Sequence, residues 1–204
     1  VTLRLTAGAA LLALPVAIAA GLARLAPWRA VRWPATAYVE VFRGSSALVQ
    51  LFWFYFVLPL FGLNLSAIAV GVLVLGLNTG AYGAEIVRGA ILAVPRGQWE
   101  AALALNLTAW QTMRRVVLPQ VLPAMLPPAG NLLIELLKNT ALVSLITLTD
   151  LTFRAQTLRS ETLKTETIFT LVLVMYFGAA LMLTALMRGL EALLSRGLER
   201  GGVR

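Results

Sequence analysis

The 204-residue chain is 59% hydrophobic and only 13% charged, about half the charged share of an ordinary soluble domain, which points to lipid as its solvent. It has neither cysteine nor histidine, so disulfides, thiolate nucleophiles and imidazole acid/base or metal chemistry are excluded together. The net charge of +8 comes from bases scattered between greasy segments rather than grouped in a patch. That argues against nucleic acid as a partner and fits the Lys and Arg excess of cytoplasmic loops in membrane proteins.

A helix needs about 20 apolar residues to cross roughly 30 Å of hydrocarbon, so spans are counted between charges. Residues 5–23 lie uncharged between Arg4 and Arg24 and form span one, with a kink expected at Pro15. No small-residue cleavage site follows it, so it reads as a span rather than a removable signal. The chain starts without Met, and a few further residues are expected before Val1. Trp28 and Trp33, beside Arg29 and Arg32, anchor the first loop at the membrane interface.

Between Arg43 and Glu85 stand 41 uncharged residues, enough for two crossings joined at Pro59, Gly62 and Asn64. Span two is read as 46–60 and span three as 65–87. The aromatic run Phe52 to Phe56 points in every direction on a helix and suits lipid contact and packing better than a cation cage.

Residues 94–119 form a polar insert. Pro95 opens a short helix that sets the Glu100 carboxylate near its N-terminus, and Asn106 stands where a left-handed cap would end it. Thr108 and Gln111 form a capping box that opens a second short helix, expected to close at Leu118 and Pro119. The prolines at 119, 123 and 127 precede span four, read as about 128–149 and opening on Pro128, with proline suited to a helix's first turn. This span carries Glu135 and Lys138, which share one face with Asn131 and Asn139. A charge facing lipid at mid-membrane costs about 2.5–3.5 kcal/mol. Glu135 and Lys138 therefore face the bundle or water, either as part of a solute pathway, with Asn78 of span three on its opposite wall, or as a structural ion pair. Residues 168–187, 20 in a row without charge, form span five, where residues 178–180 offer a small-residue packing surface.

With the N-terminus outside, twelve arginines fall in cytoplasmic segments against Arg4, Arg154, Arg159 and Lys164 outside, which predicts N-out, C-in. The fold class expected is an all-α membrane protein of five transmembrane helices in a single domain, 1–204, with a short polar loop between spans three and four.

That loop resembles the EAA loop of the permease subunits of type I ABC importers: Glu100, Ala101, Ala102, then Asn106 at the usual Gly position, Val116 at the Ile position, and Leu118 with Pro119. Residues 38–50, 80–91 and the run Lys138-Asn139-Thr140-Ala141-Leu142 are similar to the polar amino-acid uptake branch. Residues 136–156 are similar to permeases for ectoine and hydroxyectoine. The resemblance implies that the loop, through Glu100, Ala101, Ala102, Asn106, Leu118 and Pro119, couples to a cytoplasmic ABC ATPase dimer. It also implies an external solute-binding protein and a multi-pass place in the bacterial inner membrane.

Five spans enclose too little for a path, so a second permease, identical or homologous, is expected. ATP belongs to the partner, since this chain has no Gly-x4-Gly-Lys-Ser/Thr loop, and the chain is read as a transport subunit rather than an enzyme. An alternative is an ATP-independent channel or secondary carrier using Glu135 and Lys138 as a relay.

Overall fold

The computed structural model describes residues 1–199, with side chains to Leu193. The Arg196 side chain, Arg200 and Arg204, counted above with the cytoplasmic charges, lie outside the described residues. Among these residues every regular element is a helix. Helix α1 covers Thr2–Leu25 and α2 Arg29–Gly44; α3, Ala47–Phe52, runs on through a π turn, Trp53–Val57, and a 3-10 turn, Leu58–Phe61. After Gly62, left-handed at φ 83°, α4 covers Ala67–Leu92, with Ser66 capping it through Ala69 N–H at 3.3 Å.

Four helical rods are long and apolar enough to cross a membrane: α1, α4, the stretch Ala109–Ile146, and α9, Thr165–Glu199. The segment Ala47–Phe61 is shorter than these rods and makes with α2 a fifth unit, broken by a bend of 103°.

The fourth rod corrects two expectations. Helix α6, Ala109–Thr112, does not close at Leu118 and Pro119 but passes through a π turn, Met113–Val117, into α7, Leu118–Asn139, and a 3-10 turn, Thr140–Ile146. The prolines at 123, 127 and 128 therefore lie inside a continuous rod rather than ahead of a span. Each removes one backbone donor. Neighbouring side chains and local π and 3-10 adjustments can re-satisfy carbonyls in a membrane helix.

The bundle is centred on α1 and α4, which pack through small residues. A Cβ on Gly83 would lie 2.7 Å from that of Ala17, and one on Gly76 would lie 2.8 Å from Leu12 Cδ2. Ala9, Ala13, Ala17 and Ala20 are buried opposite, so the two backbones approach closely where lipid offers no hydrophobic drive for association. Within this chain nothing packs on the small-residue surface at Gly178, where a Cβ would meet nothing within 4 Å.

Leu51, Val70, Val74, Leu136 and Val143 fill the main core between α1, α3, α4 and α7. At the end of the bundle reached by Phe61 and Ile146, Asp150 caps an additional helix, α8, Leu151–Thr162.

Candidate functional site

The polar insert forms an elbow at the end of the bundle reached by Leu25 and Leu92. Helix α5, Arg96–Ala104, ends in a Schellman motif in which Leu107 N–H donates to the Ala102 carbonyl at 3.0 Å and Asn106 N–H to that of Leu103 at 2.9 Å. Asn106 takes φ 54°, a conformation that Asn, after Gly, enters at least cost. The reciprocal capping box then restarts the helix: Gln111 N–H donates to Thr108 Oγ1 at 3.3 Å, and Thr108 N–H to Gln111 Oε1 at 2.9 Å.

The root of the elbow is apolar. Val87 and Ile91 from α4, Val94, and Val117 and Val121 from the start of the fourth rod pack together. This cluster joins the two ends of the elbow, at Val94 and at Val117, to both flanking rods.

The elbow's surface divides its signature residues. Glu100, Ala101 and Asn106 are exposed, alongside Leu103, Leu105 and Trp110 at 73%, 74% and 68%. Ala102 is only 2% exposed. Leu118 and Pro119 are half-buried in the rod. Glu100 sits in the middle of α5, outside its first turn, so the helix dipole gives it no local role there. Among the described residues no ion pair within 4.0 Å involves it.

The face expected to line a pathway is partly assembled. Asn131, Glu135 and Lys138 border one polar recess of about 480 Å³ with Ile134, all three exposed on this chain. Among the described residues Glu135 and Lys138 form no ion pair within 4.0 Å. Lys138 also reaches a second, mainly apolar recess of about 590 Å³ between α7, α8 and α9 that includes Thr152, Phe169 and Tyr176. Asn139 is half-buried where the α-helix tightens into the 3-10 turn.

Asn78 lies elsewhere, as a correction to the expected opposite wall. It is buried on α4, where its Nδ2 donates to the Phe42 carbonyl at 2.9 Å and to Gln50 Oε1 at 3.2 Å. Gln50 in turn donates to the Phe42 carbonyl and to Ser45 Oγ. These amides satisfy carbonyls freed at the α2–α3 bend, so Asn78 holds a hinge instead of facing a solute.

A cluster that sequence reading left apart forms at the elbow end. Glu85 pairs with Arg24 of α1, with Arg43 of α2 at 3.7 Å and with Arg88 at 2.8 Å; Arg24 also meets Glu40 at 3.4 Å. Only the Glu85–Arg88 pair, at i and i+3, carries a local signal. The Arg43 guanidinium also lies 5.2 Å from the Tyr82 ring centroid.

Residues 13–199 match the family model for the inner membrane component of binding-protein-dependent transport systems. The chain belongs to this family. The permease is 53% identical over 165 residues to the probable amino-acid ABC transporter permease y4tF of Sinorhizobium fredii, spanning 78% of this chain and 69% of that one. It is 37% identical over 180 residues to the glutamine transport system permease GlnP of Escherichia coli, spanning 87% and 82% respectively. Of two further related permeases, from Bacillus subtilis, the match spans 60% of the length. Among solved structures, a crystal structure of an amino acid ABC transporter with histidines superposes with a TM-score of 0.88 at 36% identity, covering 94% of this permease and 89% of that chain. The permease is thus a multi-pass, membrane-spanning transport subunit, with the fold of an ABC importer permease.

Proposed function

We propose that this permease forms the membrane path of an ATP-driven importer for amino acids or similarly small polar solutes, zwitterions of the ectoine kind included, in the bacterial cytoplasmic membrane. The observation that carries the reading is the elbow: a short helix with an unpaired Glu100 and a bare apolar rim of Leu103, Leu105 and Trp110, rooted in the core between two membrane rods. Such a surface suits a protein partner, because exposed apolar residues gathered on one short elbow and rimmed by polar ones mark interaction sites.

The partner is a cytoplasmic ABC ATPase dimer, with Glu100 pairing to a basic group in its cleft. Closure of the ATPases moves α5, and its apolar root passes the motion to α4 and α7 in an alternating-access cycle. A second permease, identical or homologous, covers the face bearing Asn131, Glu135 and Lys138, whose charges would otherwise each cost about 2.5–3.5 kcal/mol against lipid. The recess between them offers one acid and one base to a solute that carries both charges. An external binding protein delivers that solute at the end bearing α8. The names of the relatives, amino-acid permeases among them, support this solute class.

The test is uptake in vesicles reconstituted with the partner ATPase. Uptake is expected to require ATP, to survive collapse of the proton gradient, and to be lost in Glu100→Lys while the complex still inserts. Uptake that persists without the ATPase but fails without the gradient would instead make Glu135 and Lys138 the relay of a secondary carrier.

A further inference from the structure

The geometry points to α2 as a surface that selects anionic phospholipid headgroups. This inference rests on the reading that the segment after the bend crosses the membrane. A bend of 103° between α2 and the segment Ala47–Phe61 then lays α2 close to parallel with the membrane surface, at the bundle end that carries the elbow.

Helix α2 has three faces at 100° per residue. Tyr38, Val39 and Phe42 turn toward α1 and α4, with Val39 fully buried beside Ala20, Ala81 and Ala84. An apolar strip, Ala30, Pro34, Ala37 and Val41, is exposed and has the depth to sit against acyl chains. The remaining face carries Arg29 and Arg32. Both are exposed, and among the described residues neither forms an ion pair within 4.0 Å, whereas Glu40 and Arg43 further along are drawn into the Glu85 cluster.

Trp28 and Trp33, 72% and 77% exposed, flank the two free arginines. An amphipathic indole is most at home at headgroup level. Two unneutralised guanidiniums at that same level are complementary to phosphate-bearing, net-negative lipids rather than to zwitterionic ones. The occupant proposed is therefore the anionic lipid of the leaflet itself. Because Arg43 of α2 pairs with Glu85 on α4, and Arg24 of α1 bridges Glu40 of α2 to the same carboxylate, lipid held by α2 is mechanically linked to a moving rod.

The experiment needs neither solute nor ATPase, so its failure is distinct from failure of the transport reading. The full chain is placed in vesicles in which bromine-labelled phosphatidylglycerol or bromine-labelled phosphatidylcholine is present at equal mole fraction. The Trp28 and Trp33 emission is isolated by subtracting a W28F/W33F variant. Quenching by the anionic lipid is expected to exceed that by the zwitterionic lipid several-fold; one basic side chain at the surface corresponds to roughly fivefold enrichment.

The excess should vanish in R29Q/R32Q and at about 1 M salt, where the screening length falls to about 3 Å, while quenching by phosphatidylcholine persists. If R29Q/R32Q does not insert, the salt arm alone decides. Equal quenching by both lipids would overturn the proposal, and so would quenching by neither, which would mean that a protein partner covers α2.

Discussion

Arg24 of α1 and Glu85 of α4 meet as an ion pair at the elbow end of the α1–α4 seam, with their side chains only 13% and 21% exposed. Because Arg43 and Arg88 also turn to the same carboxylate, one residue joins three helices. Glu85→Gln removes the charge but keeps the shape and leaves Arg24 nearly buried without its counter-ion. Loss of one partner of a fully buried pair costs about 3–5 kcal/mol; with Arg43 and Arg88 about one third exposed, solvent screening lowers the expected loss to about 1–2 kcal/mol. Thermal unfolding in detergent should show this as a lowered midpoint, and the loss should shrink when Arg24→Gln is added.

The seam below that pair sets a second expectation. Gly83→Val would drive side-chain carbons into Ala17, where a Cβ alone already lies 2.7 Å from its neighbour. Overpacking of this kind costs about 1–3 kcal/mol, occasionally more. Gly178→Val, with open space around it, should leave the midpoint unchanged or raised. A side-by-side measurement of the two variants separates a packing seam from mere glycine content.

Asn106 gives a third. Its left-handed backbone at φ 54° tolerates Gly, so Asn106→Gly should fold normally and retain uptake. Asn106→Val places a β-branched residue where the left-handed region costs about 1–2 kcal/mol, and should weaken the elbow more than the bundle. Limited proteolysis within 96–108 would register that difference.

A fourth concerns pH. Burial pushes the Asp150 carboxyl above its usual range, against the opposing hydrogen bonds from Phe153, Thr152 and Tyr176. The folded chain therefore holds this proton more tightly than the unfolded chain, and the stability it contributes, full at low pH, is lost as pH rises through the raised value. Asp150→Asn retains a good helix cap and cannot ionise. The midpoint of D150N relative to the parent should rise as pH is raised above about 4, the ordinary carboxylate value; a constant difference would contradict the shift.

What the sequence revealed was what short-range chemistry encodes. Asn106 and the Thr108–Gln111 box announced their caps because each acts within one turn, and the spacing from Glu100 to Pro119 carried the family resemblance. The close approach of Gly76 and Gly83 to α1 was illegible because nothing in α4 alone names its partner, and the same holds for Arg24 with Glu85. Asn78 looked like a pathway residue by its position on a span, yet its amide is committed to the Phe42 carbonyl across 36 residues. The prolines were misleading because a rule for helix starts in water yields to a bundle that re-satisfies freed carbonyls. Helices α2 and α8 were passed over as loops, since a count of uncharged stretches does not see amphipathic or polar helices.

The central claim, that the elbow meets a nucleotide-hydrolysing partner, is most directly tested by site-specific cross-linking, which the chain's lack of cysteine makes clean. Glu100→Cys should cross-link to the ABC ATPase in the assembled complex, and Leu163→Cys, 84% exposed at the opposite end, should not. Cross-linking of the ATPase to position 163 with none at position 100 would contradict the account.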